Sequence, residues 1–513
     1  MAAHVLRDHR AAYNSGMRPL PSARLVLAAI GISAHALAQP AGPLVITNVN
    51  VIDVVSGGVR PNQNLVVVGD RISQVGAASE VHPPAGAKPI AGEGYYLIPG
   101  LWDMHIHLRN DPTKPAISLA KENAAVLKLF LVNGVVGVRE MGGDLAESVL
   151  EWRQEIEAGK REGPRILTAG RKLDGEKPQW PGSISVMTPD EARQAVLQVK
   201  RLGADFVKIY FRTVDPAVLR AIVEEAHKQQ MKVTGHTPIN IPPQELVNIA
   251  VDGFEHIPLL SGGGPFITAS GMQLDAFFKE EEARKKTPLA MSPVERNSRL
   301  MWMNDEAAAA ELYKTMARKD FFMTPTLTVL TRNIEVTERD ISSDARKRFL
   351  FPAIWMSWDL KSGLRHPFPA DFLPIYKEQL KRGGDNLRAA HKAGVTILAG
   401  TDSGVANSYV LPGWSLHEEL ENLVKNGLTP VEALRTATVN SAKWRGRSEF
   451  EGVVEKNKVA DLVMLRSNPL QSIGRVRDIE AVIAHGRYYS RADLDHLLEG
   501  AEEECAAAWA QQK

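Results

Sequence analysis

Residues 98–107 read Ile98-Pro99-Gly100-Leu101-Trp102-Asp103-Met104-His105-Ile106-His107. A β-strand puts residues two apart on one face, so Asp103, His105 and His107 share a side while Met104 and Ile106 take the other. Two imidazoles at that spacing can present neutral nitrogens to one divalent ion as a chelate. A His-x-His triplet occurs by chance in many chains and decides nothing alone. Its weight here comes from position, because it opens a long run of short apolar strands alternating with helices.

That run extends from about residue 97 to residue 447. Its strand candidates are Ile98–His107, Val135–Arg139, Ile166–Ala169, Phe206–Tyr210, Lys232–His236, Gly253–His256, Phe322–Thr326 and Val395–Thr401. Between them lie helices with explicit start signals. Thr188-Pro189-Asp190-Glu191 is a capping box with proline at the first helical position, followed by Ala192, Ala195, Val196, Val199 and Leu202 at helical spacing and then Gly203. Asp215-Pro216 and Thr429-Pro430-Val431-Glu432 open two more. Eight strands alternating with helices predict an α/β fold, a (β/α)8 TIM barrel. Two connections, 258–320 and 328–393, are long for a compact domain, and their length points to functional or unstructured loops.

In a TIM barrel the active site is built at the C-terminal ends of the strands. Four more polar residues fall there: Lys208 in the fourth strand, His236 ending the fifth, His256 ending the sixth and Asp402 after the eighth. Each has an ordinary structural reading, as a hydrogen-bonded histidine, a turn aspartate or a lysine reaching solvent. Their joint placement on the edge that already carries His105 and His107 is what favours a shared site. His417, in Ser415-Leu416-His417-Glu418, reads as a helix residue and is left out of it.

The flanks are different. Residues 44–98 and 448–490 hold short β-branched runs separated by turns, too few on either side to stand alone. They predict one small β-sandwich closed by both ends of the chain, with the barrel over 99–447 and a helical tail over 491–513. Residues 1–38 read as an export signal. Arg18 and Arg24 precede an apolar stretch from Leu25 to Ala34, and Ala36-Leu37-Ala38 gives the small-residue cleavage pattern before Gln39. Met17 is an alternative start. The apolar stretch is too short to span a bilayer, so a secreted or periplasmic protein without stable membrane insertion is expected. The single cysteine, Cys505, rules out an intrachain disulfide and thiolate metal sites. With 61 Lys and Arg against 60 Asp and Glu, and no basic stripe, nucleic acid is not an expected partner.

The chain resembles the amidohydrolase superfamily, and within it the binuclear, lysine-bridged branch of amidases, dipeptidases and imidazolonepropionase-like proteins. The resemblance covers residues 44–489. It rests on the His-x-His strand, Val207-Lys208-Ile209-Tyr210, Gly235-His236-Thr237, Glu255-His256-Ile257, Leu398-Ala399-Gly400-Thr401-Asp402-Ser403-Gly404, Gly427 to Leu434, and Lys458 to Val463. It implies two divalent ions, zinc by default with manganese or cobalt as substitutes. His105, His107 and Asp402 would hold the first, His236 and His256 the second, and a carbamylated Lys208 would bridge them. An ammonium between two dications is untenable, whereas the carbamate formed from the neutral amine and CO2 is an anion with two oxygens. Asp402 is then the proton shuttle. Tyr210, on the strand face of Lys208, is a donor to an oxyanion or a substrate carboxylate, or an aromatic packing in the barrel. Arg139 and Arg212 are candidates for holding a carboxylate, with surface roles as the alternative. The expected reaction is hydrolysis of an amide or peptide bond in a dipeptide or N-acyl amino acid, and a homo-oligomer is compatible with it. Rival readings are a lactonase or esterase, a phosphotriesterase-like hydrolase, a mononuclear deaminase, and a catalytically dead binding protein on the same fold.

Overall fold

The computed structural model describes residues 42–111, 118–238, 240–256, 271–358 except for residues 286, 288, 289, 293, 294, 297, 300–302, 304, 305 and 342, and 373–511. The expected export signal and parts of the two long connections, residues 258–270 and 359–372, lie outside the described residues.

Eight parallel strands form the barrel. Leu101–Ile106, Val135–Glu140 and Arg165–Thr168 pair in order. Val207–Ile209, Val233–Gly235, Gly253–Glu255, Phe322–Thr324 and Thr396–Ile397 follow in the same sense. Backbone bonds close the ring. Asp205 donates its N–H to Thr168 (2.8 Å) between the third and fourth strands, and Met104 donates to Ala399 (2.8 Å) between the first and eighth. Asp402 donates to the His105 carbonyl at 2.7 Å. The fourth to seventh strands are one or two residues shorter than the sequence pattern suggests and the eighth is five shorter, whereas the third has the expected length and the second is one residue longer.

The first expected strand, Ile98–His107, is two strands. Tyr96–Pro99 pairs with Leu462–Leu465 and with Leu44–Ile52, whereas Leu101–Ile106 belongs to the barrel. Proline has no N–H to offer a ladder at residue 99, and Gly100 donates to Asp461 (2.8 Å) at the break. The strands from the two ends of the chain join one mixed sheet, ordered Arg487–Tyr489, Ile479–Ala484, Leu462–Leu465, Tyr96–Pro99, Leu44–Ile52, Val59–Val68, Arg71–Ala77, with Lys88–Ala91 beside Leu44–Ile52. Alternation sorts its side chains. Leu44, Ile46, Leu65, Val67, Leu97, Leu462, Met464 and Ile483 share one apolar cluster of this sheet. Their neighbours Ile98, Val463, Leu465 and Val482 join the main core of the barrel. The sheet is therefore apolar on both faces where it meets the barrel, which fixes the height at which the first barrel strand enters.

The helix signals hold. Thr188 and Thr429 each form a reciprocal capping box, and the Asp215 carboxylate accepts from the Ala217 N–H. The helix opened by Thr188 closes on Gly203 in the left-handed conformation. Ser490 caps a terminal helix, Arg491–Ala510, through a further box. The two long connections, expected as loops, carry helices among their described residues, including Glu306–Arg318 and Leu373–Lys392. Ala309, Leu312, Tyr313 and Met316 supply the apolar face that seats the first of these, at spacings of three and four.

Gly137, in the second barrel strand, shows how tightly the barrel floor is filled. A Cβ there would lie 2.2 Å from the Trp102 ring, and the Arg445 guanidinium covers that ring at 3.5 Å from its centroid. Overpacking of this kind costs about 1–3 kcal/mol. Gly137→Ala is expected to lower stability by about that amount, read as a lower urea midpoint with an unchanged slope.

Candidate metal centre at the C-terminal mouth of the barrel

Asp103, the first polar residue of the opening strand, does not reach the mouth. Its carboxylate is fully buried and accepts from the Thr401 N–H (3.0 Å) and the Thr401 hydroxyl (2.7 Å). It straps the first strand to the eighth, and burial raises its pKa to about 7. His105 is also fully buried. Its Nδ1 lies 2.8 Å from Glu255 Oε2, which leaves Nε2 free to face Asp402 Oδ1 at 3.4 Å. His107, one turn of the pleat further out, sets its Nε2 3.2 Å from the same oxygen.

Glu255 is the residue the sequence pattern misplaces. It precedes His256 and reads as pointing away from it, yet it projects into the barrel beneath the site. Arg139 donates to both of its oxygens (2.7 and 2.9 Å) and the Thr234 hydroxyl donates at 2.6 Å. Burial opposes its charge, but Arg139 and His105 more than offset that and hold the carboxyl below its ordinary range. Arg139, considered above as a carboxylate-binding group, is thus a buried partner of Glu255 with no exposed surface. Arg212 is exposed beyond the fourth strand. His417 is buried against the Asn133 carbonyl at 2.8 Å, a structural contact.

His256 reaches the mouth although it follows Glu255 directly, because its backbone is left-handed (φ 70°). Asp402 does the same at φ 57°. Left-handed non-glycine residues are uncommon and mildly strained, and here each conformation turns a side chain that simple alternation would send elsewhere. His256 Nδ1 lies 2.7 Å from the Thr326 hydroxyl. His236 follows Gly235, whose backbone sits so close to the fourth strand that a Cβ would lie 2.0 Å from the Ile209 carbonyl oxygen. The His236 ring stands 4.6 Å from His256 and 4.1 Å from Tyr210 between centroids.

Ligand atoms of His105, His256 and Asp402 come within 4.8 Å of one another and form a group that fits a metal ion. This trio crosses the two sets the family resemblance implies, since it takes one histidine from each. His107 adjoins it through Asp402 and His236 through His256. Burial lowers the pKa of all four imidazoles, that of His256 to about 3, so they are neutral and keep a lone pair for a ligand. Lys208 is fully buried, with its pKa lowered by burial to about 8. Tyr210 is raised by burial to about 12 and remains a donor at neutral pH. The sequence pattern missed Glu255, Thr326 and the Asp103–Thr401 strap. Their only signal was a polar residue in an otherwise apolar strand end.

The model of the amidohydrolase family matches residues 96–489. An uncharacterised protein of Mycobacterium tuberculosis is 25% identical over 444 residues, spanning 83% of this chain and 91% of its own length. The ochratoxinase of Aspergillus niger is 25% identical over 439 residues, 75% of this chain and 73% of that protein. A solved Xaa-Pro dipeptidase with bound methionine superposes with a TM-score of 0.62 at 21% identity, over 88% of this chain and all of the other.

The Thr326 hydroxyl gives a mild test of how the ring beside it is aimed. Partners of this kind typically set metal affinity by 10–100-fold. Thr326→Val is expected to weaken metal binding by roughly that factor, read by chelator competition, with a melting temperature close to that of the parent.

Proposed function

This chain belongs to the amidohydrolase family, and from that premise we propose that it hydrolyses an amide or peptide bond in a small substrate, a dipeptide or an N-acyl amino acid, using two divalent ions at the mouth of its barrel. The observation that carries the reading is a set of buried polar atoms with no well-aligned hydrogen bond among the described residues: His105 Nε2, His107 Nδ1, His236 Nδ1, Lys208 Nζ and Asp402 Oδ1. Native interiors leave few such atoms, and each calls for an explanation. Five from candidate ligands of one site have a common one.

His105, His107 and Asp402 would hold one ion and His236 and His256 the other, with zinc favoured by the nitrogen and carboxylate donors and manganese or cobalt as substitutes. Lys208, in an apolar strand and with no hydrogen-bond partner for its amine among the described residues, would as its carbamate supply an anionic ligand to the ions. When bound, the ions polarise the scissile carbonyl and bring the pKa of a water near neutrality. Asp402 Oδ1, facing the two histidines of the first strand, takes the proton of the attacking water and passes it to the leaving nitrogen. The Tyr210 hydroxyl, kept protonated by its burial, donates to the developing oxyanion or to a substrate carboxylate. Glu255 is engaged by Arg139 and His105, which speaks against a deaminase relying on a free acid beside the fifth and sixth strands. The dipeptidase among the solved neighbours acts on a small peptide by its name, which supports the chosen substrate size. Export after cleavage behind Ala38 is part of the same proposal, and no helix among the described residues is long and apolar enough to cross a membrane.

Metal-loaded protein offered N-acyl amino acids, dipeptides, a lactone and a phosphotriester is expected to release amine from the amides. Turnover confined to the lactone or the phosphotriester would overturn the substrate class. Lys208→Ala is expected to lose most of its kcat and to regain part of it in high acetate or propionate. Lys208→Arg is expected to show no rescue, because the guanidinium fills the space and keeps its charge.

A further inference from the structure

Two cations line the same mouth and the reaction as described uses neither. Arg109 follows the first barrel strand and Lys172 the third; they are 5% and 1% exposed. Among the described residues no carboxylate oxygen lies within ion-pair distance of either, and Arg109 Nε, Arg109 Nη1 and Lys172 Nζ have no hydrogen-bond partner. The acids whose charge favours these cations, Glu140 and Asp402 for both and Asp144 for Arg109, lie beyond ion-pair distance. Glu140 Oε2 accepts from the Thr168 hydroxyl at 2.6 Å while its Oε1 has no hydrogen-bond partner among the described residues, and Asp144 accepts from the Asn110 backbone and side chain at 3.1 and 2.9 Å.

Trp180 ties the two cations together. The Arg109 guanidinium lies 3.7 Å from its ring centroid and Lys172 Nζ lies 4.9 Å from it. The same indole meets Tyr210 edge-on at 6.0 Å, Lys172 Nζ stands 5.5 Å from the Tyr210 ring, and Tyr210 packs on His236. The cations therefore sit two ring contacts from a candidate metal ligand. The backbone makes room for them. A Cβ on Gly143 would lie 2.9 Å from Arg109 Cβ, and one on Gly142, at φ 81°, would lie 3.3 Å from Lys172 Cγ. Burying two like charges side by side with no counter-ion in contact is costly. Burial and the neighbouring Arg109 depress Lys172 far below its ordinary range. An arriving anion reverses that penalty.

We propose that Arg109 and Lys172, backed by Trp180, form the subsite that holds the free carboxylate of the substrate while its amide lies at the metal centre. The assignment rests on the amide-hydrolase reading for its substrate, and it replaces Arg139 and Arg212, which the structure places elsewhere. The planar guanidinium gives a carboxylate two parallel donors, and the ammonium adds a third from the side. Tyr210 is then left to face the reacting carbonyl.

The test compares N-acetyl-L-leucine with N-acetyl-L-leucinamide on the metal-loaded protein. It reads kcat/KM for acetate release where they are turned over and the calorimetric Kd where they are not. The wild type is expected to favour the acid by 10-fold or more. Hydrogen bonds to charged groups contribute about 1.5–3 kcal/mol, so Lys172→Met and Arg109→Met should each cut the acid-to-amide ratio by about 10–100-fold. A wild type that does not distinguish the two compounds, or variants that lower both equally, would overturn the subsite even if amides are hydrolysed. Discrimination in binding without any amide hydrolysis would sink the reaction class and leave the subsite standing. Because Lys172→Met removes a buried amine with no hydrogen-bond partner among the described residues, it is expected to fold at least as stably as the parent, so a misfolded Arg109 variant does not stop the comparison.

Discussion

Glu255 carries a full charge in the barrel interior with no exposed surface, and much else in the fold follows from satisfying it. Arg139 of the second strand, Thr234 of the fifth and His105 of the first all bond to it, and Arg139 reaches on to the Thr324 hydroxyl of the seventh at 3.0 Å. One carboxylate thereby ties five of the eight strands. A buried ion pair gains little net stability over apolar packing, but removing one partner leaves a costly uncompensated charge. Its value here is positional. It holds the His105 ring by Nδ1 and turns Nε2 outward, and it does so from beneath, where substrate and solvent cannot compete.

Above that floor the chemistry is arranged by local backbone geometry. Left-handed conformations at His256 and Asp402 break the alternation of their strands at the last residue and bring both side chains over the axis. The glycine before His236 lets the fifth strand lie against the fourth. These are small departures from ideal strands, and they occur where a site must be built. The rim adds charge of the opposite sign, with Arg109 and Lys172 beyond Tyr210 and Trp180. The mouth is thus graded from a cluster of imidazoles and a carboxylate on one side to two cations on the other, which suits a substrate with a carbonyl at one end and an anion at the other.

The amino-acid pattern reveals the barrel well because its signals are local. Alternation in Trp102–His107, the capping boxes at Thr188 and Thr429, and apolar runs of strand length all depend on near neighbours in the chain. What it hides depends on distant ones. That Arg139 meets Glu255, 116 residues away, leaves no trace in either segment, so Arg139 looks like a rim residue. Lys172 sits in Gly170-Arg171-Lys172-Leu173, where only the fold shows that the lysine turns inward and the arginine outward. Pro99-Gly100 falls inside what reads as one strand, Ile98–His107, and hides the boundary between two sheets because both flanking segments are equally apolar. The long connections look like loops from their glycines, prolines and charges, yet tertiary burial of residues such as Leu312 and Met316 makes helices of parts of them.

The number and place of the metal ions decide most of this. Crystals of the metal-loaded protein measured on either side of the metal absorption edge give an anomalous map that counts ions directly. The expected map has two peaks, one against His105, His107 and Asp402 and one against His236 and His256, with density for extra atoms on the Lys208 amine between them. A single peak in active protein, with a bare Lys208 amine turned away from it, would contradict the two-ion centre and leave a mononuclear hydrolase in its place.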